Sequence, residues 1–312
     1  MLRLRTSVST PAVLRAGSVA LALAVLTLSP CDMRAQTTSA PVFKTGVDRV
    51  ALFATVRDRR GRIVTDLTRV DFEVLDGGEG RKIVEFRAGR ARVSLAVVMD
   101  VSGSMAIGSK LARARLVVDD LLASLEPGAD EVAMYAFDTE LHELQPFSTT
   151  TDQLRGTFEG AEAFGATSIW DAAAAAARQV ADRGGPRRAL VVLTDGVDTS
   201  SRWTARDVSG LASGFDVPVY IVAVEPPQDE AVLQNLSDLA RWTGGNVHVV
   251  AGAADGNAQA VEVVNELRHQ YFMAFETSVT PGWHPLVVRT RNRSLDIRAR
   301  SGYFVAPQAL NN

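Results

Sequence analysis

Three kinds of hydrophobic patterning succeed one another along the chain. Between residues 44 and 90, apolar and polar positions alternate in short runs: Val50–Val56, Ile63-Val64, Phe72–Leu75 and Lys82–Phe86. A period of two sends successive side chains to opposite faces, so these runs predict half-buried strands. Turn residues separate them: Asp58–Gly61 follows the first, and Asp76-Gly77-Gly78 lies between the last two as a hairpin signal. No helical spacing competes, and the segment reads as a small β module. From Val93 the pattern changes. Val93–Met99 is almost unbroken apolar sequence, which suits a strand buried on both faces of a parallel sheet. Leu111, Ala114, Val117, Val118, Leu121, Leu122 and Leu125 then recur at helical spacing until Pro127-Gly128 ends the run. The alternation continues with strands at 132–137, 189–193, 219–224 and 247–250 and a hairpin partner at 141–147. Helices fall near 169–183, 204–213, 229–242 and 256–268, with Thr204 placed as an N-cap. Beyond His269 the chain returns to strands at 271–276, 286–291, 295–299 and 303–305, with turns at Pro281-Gly282 and Asn292–Ser294.

Strands alternating with helices predict an α/β fold with a doubly wound, mainly parallel sheet covered on both faces. Neither flanking β segment is long enough to build a good core alone. The two are therefore expected to pack together as one small β-sandwich, with the α/β domain inserted between them. The expected division is a leader at 1–35, an N-terminal β segment at 36–90, the α/β domain at 91–265 and a C-terminal β segment at 266–312. The helix near 256–268 leads straight into the strand at 271–276. It reads either as a rigid connector or as a switch that passes changes from one module to the other.

The leader has the pattern of an export signal. Arg3, Arg5 and Arg15 precede the apolar run Val19–Leu28, which is shorter than the roughly 20 residues a helix needs to span a bilayer. Cleavage is expected after Ala35. Cys31, the chain's one cysteine, ends Leu28-Ser29-Pro30-Cys31, which is similar to a bacterial lipobox except that Pro30 stands where Gly or Ala is usual. Two processing routes stay open, cleavage by a general signal peptidase or lipidation at Cys31. Either route exports the protein to the periplasm, the cell envelope or the medium, without a disulfide. A formal net charge of −3 gives no basic face for nucleic acid.

In a doubly wound sheet ligands bind beyond the C-terminal ends of the strands. Three loops at that edge carry polar chemistry: Asp100-Val-Ser102-Gly-Ser104, Gly165-Ala-Thr167 through Asp171, and Thr194-Asp195-Gly196. Together they offer carboxylates and hydroxyls, hard oxygen ligands that suit Mg²⁺ or Mn²⁺. Taken alone, Asp100 with its two serines could be an Asx turn with a helix cap, and Thr167 an N-cap. Asp171 and Asp198 read as capping and turn residues. Gly103–Lys110 approaches a phosphate-binding loop, but the lysine comes one residue late and Leu111 follows it, so no nucleotide is expected.

Asp100, Ser102 and Ser104, then Thr167, then Asp195, closely resemble the metal-ion-dependent adhesion site (MIDAS) of von Willebrand factor A and integrin inserted domains, in type and in chain order. The resemblance covers about residues 91–265, and the flanking strands look like a bacterial exported family related to that domain. It implies one Mg²⁺ or Mn²⁺ held by those five residues. It further implies a protein partner whose Glu or Asp carboxylate completes the coordination, in a binding rather than a catalytic role. Two readings compete with it: a structural envelope protein whose metal only stabilises the fold, and a metal-dependent hydrolase. The second has little support, because no Gly-x-Ser-x-Gly or His-Glu-x-x-His motif occurs and His142, His248, His269 and His284 show no ligand spacing.

Overall fold

The computed structural model describes residues 48–305 apart from 185–186, 227, 253–254 and 278–279. The leader with Cys31 lies outside the described residues. The chain opens with β1 (Asp48–Arg57), β2 (Phe72–Asp76), β3 (Glu79–Arg81) and β4 (Ile83–Arg87). There follow β5 (Ser94–Asp100), α1 (Lys110–Ser124), β6 (Glu131–Phe137), β7 (Leu141–Ser148), α2 (Ile169–Arg183) and β8 (Arg188–Thr194). Next come α3 (Ala205–Gly214), β9 (Val219–Val224), α4 (Glu230–Thr243), β10 (Val247–Val250) and α5 (Asp255–Arg268). The chain closes with β11 (Tyr271–Thr277), β12 (Gly282–Thr290), β13 (Asp296–Ala299) and β14 (Gly302–Val305).

The central sheet has the order β10-β9-β8-β5-β6-β7, parallel throughout except for the antiparallel edge strand β7. Its strands divide their side chains between two cores. Leu95, Val97 and Met99 pack with α1 and α5 on one face, while Ala96 and Val98 pack with α2, α3 and α4 on the other. Every residue of β5 is buried, as its unbroken apolar run requires. Ala172, Ala173, Ala174, Ala176 and Ala177 of α2 are buried against the sheet, which small side chains allow it to approach closely. The expected doubly wound sheet is present.

Two four-stranded sheets, β13-β1-β11-β4 and β14-β12-β2-β3, form the companion sandwich. Val50, Leu52, Ala54, Met273 and Phe275 from the first sheet share a core with Phe72, Val74, Leu286, Val288 and Tyr303 from the second. Strands from both ends of the chain are interleaved, since β1 pairs with β11 from Asp48↔Thr277 to Ala54↔Tyr271 and β2 pairs with β12. One expectation is corrected. Phe72–Leu75 does not form a hairpin with Lys82–Phe86; β2 turns back on the short β3, and β4 pairs with β11 in the other sheet. Gly77 and Gly78 both adopt positive φ, 60° and 91°, and close a two-residue turn that sets Asp76 opposite Glu79. The chain then crosses at Lys82 and delivers Ile83 and Phe86 to the shared core.

Ion pairs join the sandwich to the α/β domain. Glu266 of α5 is fully buried and meets Arg57 of β1 and Arg298 of β13. Arg300 donates to the carbonyls of Ser213 and Ala51, one on each side of the junction. Arg268, the last residue of α5, is buried on Asp130.

Candidate functional site

Asp100 is the last residue of β5 and the chain leaves it through a 3-10 turn at Gly103–Ala106, whose Met105 is wholly buried and pins the loop to the core. The Asp100 carboxylate accepts from the Ser102 amide at 2.8 Å and from the Thr194 hydroxyl at 2.6 Å. The Ser102 and Ser104 hydroxyls stand 3.2 Å apart. Asp100, Ser102 and Asp195 are completely buried, Thr167 nearly so, and Ser104 half-buried. Burial raises the Asp100 carboxyl to about 6, with the Asp195 charge adding to the effect and hydrogen bonds from Ser102 and Thr194 opposing it.

The three loops are stitched together in pairs. Gly103 donates to the Gly165 carbonyl at 3.0 Å and Phe164 to the Val101 carbonyl at 2.8 Å, which ties the first loop to the second. The Thr194 hydroxyl ties the third to the first. The amides of Thr199 and Ser200 both donate to the Thr167 carbonyl, and the Thr167 amide donates to the Thr199 hydroxyl at 2.9 Å, which ties the second to the third. Glycine is demanded at Gly196, where φ is 93° and a Cβ would stand 2.9 Å from Leu236 and 3.0 Å from Val232.

Thr167 does not cap the following helix. The α2 N-cap is Ser168, and the first helical amides are met from the opposite loop, Ile169 by Asp198 at 2.8 Å and Trp170 by Ser201 at 3.0 Å. Asp171 serves the same loop, accepting from the amides of Arg202 and Trp203.

Two residues at this edge were not anticipated from the sequence. Lys110, the first residue of α1, puts its ammonium 2.8 Å from Asp195 Oδ2. Glu225 follows β9 with φ of 45°, a left-handed conformation rarely adopted by such a residue, and takes hydrogen bonds or ion pairs from Ser109 and Arg113. Its contacts with Ser109 and Arg113, distant in the chain, are a role for Glu225 that no spacing along the chain could reveal.

The donor set fits a hard divalent cation. Among the described residues no cluster of three or more His, Cys, Asp or Glu side chains forms a closed metal cage. An ion at this edge would therefore draw on hydroxyl oxygens as well as the two aspartates, and buried neighbouring carboxylates are the groups a cation relieves most. A cleft of about 850 Å³ lies elsewhere, lined by Trp203, Phe215, Trp242, Trp283 and Phe304, and includes none of the five candidate ligands.

Residues 95–197 match the family model of the von Willebrand factor type A domain. No curated protein matches the chain in sequence. Among solved structures, the conserved hypothetical protein BatB from Bacteroides thetaiotaomicron is similar at 19% identity over 56% of this chain and 98% of its own, with a TM-score of 0.47. The von Willebrand factor type A protein from Catenulispora acidiphila is similar at 14% identity over 74% of this chain and 71% of its own, TM-score 0.49. Proximal thread matrix protein 1 from the mussel byssus is similar at 15% identity over 62% of this chain and 51% of its own, TM-score 0.50. A further structure of that mussel protein, at 16% identity over 62% of this chain and 49% of its own with TM-score 0.49, has a zinc-occupied MIDAS motif. Likeness at such identities speaks for the fold alone. The match to that family model falls on the part of the chain that builds β5 to β8 with the three stitched loops.

Proposed function

We propose that Asp100, Ser102, Ser104, Thr167 and Asp195 hold one Mg²⁺ or Mn²⁺ and that the protein uses it to grip an acidic group of a protein partner. The observation that carries this reading is the pairwise stitching of the three loops, which sets Asp100 in hydrogen-bonded contact with Thr194, next to Asp195, and holds Thr167 buried at the same edge. A bound ion would supply a positive centre with an exchangeable position for the partner's Glu or Asp carboxylate. Each protein residue has a distinct task. Asp100 and Asp195 supply the charge that attracts the cation. The three hydroxyls add oxygen donors without adding charge, so the two aspartates no more than balance the cation and leave it open to an outside anion. The role is binding and not catalysis, and the partner is neither nucleic acid nor nucleotide. Export through residues 1–35, with or without a lipid at Cys31, belongs to the same reading, as does a division into β segments at 36–90 and 266–312 around an α/β domain at 91–265. Among the described residues no helix is long and apolar enough to cross a membrane.

A second reading has one observation in its favour. Lys110 already pairs with Asp195 and Thr194 with Asp100, so the buried acids are partly satisfied within the chain. A structural envelope protein whose metal serves only stability would look the same here. Mn²⁺ titration followed by electron paramagnetic resonance tests the metal centre, with wild type expected to bind one ion and the Asp100→Ala/Asp195→Ala double variant none. Equal Mn²⁺ affinity in the two proteins sinks the assignment. Capture of an immobilised acidic peptide in Mg²⁺, lost on adding chelator, separates the gripping role from the stabilising one.

A further inference from the structure

Lys110 is one of only three lysines in the chain, with Lys44 and Lys82, and it occupies the first position of α1. Helix energetics give no reason for a cation there. The amino end of a helix already carries positive potential, and the first turn of α1 contains no acidic residue to offset it. The side chain instead reaches the rim of the sheet, where its ammonium lies 2.8 Å from Asp195 Oδ2, with the lysine 17% and the aspartate 1% exposed. Its neighbours are committed elsewhere. Ser109 bonds to Glu225 at 2.9 Å and Arg113 pairs with Glu225 at 3.1 Å, which fastens the start of the helix and leaves Lys110 as the charge directed at Asp195.

We propose that Lys110 is a built-in cation of the metal centre, which shares Asp195 with the divalent ion, loosens the hold on that ion and strengthens the pull of the loaded centre on an anion. The inference rests on the metal-centre reading given above. Asp100 and Asp195 carry two negative charges and Lys110 one positive, so the loaded set is net positive with Lys110 and neutral without it. At low exposure these charges are weakly screened, and one ammonium acts on both the metal and its ligand. The two effects have opposite signs. Lys110 repels the incoming metal and competes for an oxygen of Asp195, yet it attracts the partner's carboxylate once the metal is seated. The centre trades metal affinity for anion affinity through one side chain.

The test uses the full mature chain at constant ionic strength, with Mn²⁺ binding read by electron paramagnetic resonance and acetate as the anion probe on the Mn²⁺-loaded protein, read by water-proton relaxation. Lys110→Met is expected to bind Mn²⁺ about tenfold more tightly and acetate several-fold more weakly, while Lys110→Arg keeps both close to wild type. Should the Met variant fail to fold by circular dichroism, Lys110→Gln carries the same expectation. A Met variant within about twofold of wild type for both ligands overturns the inference and leaves the metal centre standing, as does a variant in which both affinities fall together. No Mn²⁺ binding by either wild type or variant removes the metal centre and the inference with it. Binding by the variant but not by wild type supports the inference in its strongest form, with Lys110 filling the cation position.

Discussion

Asp100 is held where its charge is costly, and that cost fixes how the protein should respond to acid. Its carboxyl is raised from 3.8 to about 6 by burial, with Asp195 beside it. For a raised acid, the folded state binds more protons than the unfolded state between the two values. Stability from this group is therefore retained below about pH 4 and lost as pH climbs through about 6. In chelator, Asp100→Asn, which mimics the protonated form, is expected to be more stable than wild type at neutral pH by on the order of 3 kcal/mol. That advantage is expected to shrink to nothing near pH 4, and on the proposed metal-centre reading Mn²⁺ should reverse it by stabilising wild type alone. Chemical denaturation of both proteins across this range checks the claim, and a difference that does not vary with pH sinks it. The Asp-x-Ser-x-Ser spacing at this site is legible in the sequence because those candidate ligands are neighbours on one loop. The contact between Lys110 and Asp195 is not, since 85 positions separate them and only the fold brings α1 to the end of β8. Its trace in the sequence is a lysine opening a helix that has no acidic residue in its first turn.

Among the elements, α5 decides whether the two modules can communicate. Its sequence favours a connector but leaves a switch open, because periodicity reports which face is buried and not what the polar residues meet. The structure supplies the partners. Glu262 and Glu266 meet Arg57 of β1, Glu266 also meets Arg298 of β13, and the helix ends with Arg268 on Asp130 and the Ser124 carbonyl. A sliding helix would have to break two clusters of largely buried charge, each costing roughly 3 kcal/mol or more when one partner is lost. We expect α5 to be a rigid connector. Glu266→Gln should lower stability by about 3 kcal/mol and leave Mn²⁺ affinity within about twofold of wild type. Loss of Mn²⁺ affinity in parallel with stability would show that helix and metal loops move together. The hairpin after β2 makes a related point about elements. Asp76-Gly77-Gly78 does announce a tight turn, but the strand it serves is only Glu79–Arg81, too short and too polar to register as a strand by alternation.

At the scale of the molecule, the sandwich depends on both ends of the chain, and deletion is the direct way to test that. The two β segments are separated by the whole α/β domain, so short-range patterning predicts their strands but not their pairing. Neither segment can bury enough apolar surface alone, and that shortfall is what calls for a shared core. In the structure β1 lies between β13 and β11, and β2 lies between β12 and β3, so the N-terminal strands occupy interior positions in both sheets. Removing residues up to 90 would strip β11 of both its neighbours, β1 and β4, and uncover Tyr271, Met273, Phe275, Leu286 and Val288. Several wholly buried side chains exposed together correspond to roughly 1.5–3 kcal/mol each, more than a marginal module can lose. Arg57 would also be gone from Glu266, so the damage should reach α5 as well. The fragment 91–312 is therefore expected to bind a dye specific for exposed apolar surface, to associate in sedimentation, and to unfold without a sharp transition in its β strands. The chain from residue 36 onward should unfold cooperatively. Adding back a separately made 36–90 segment should quench the dye signal, because the missing strands supply the partners that β11 and β12 lack. A fragment as soluble and as cooperative as the chain from residue 36 onward would mean that the C-terminal strands hold together on the α/β domain alone, and the shared sandwich would then contribute little to the fold.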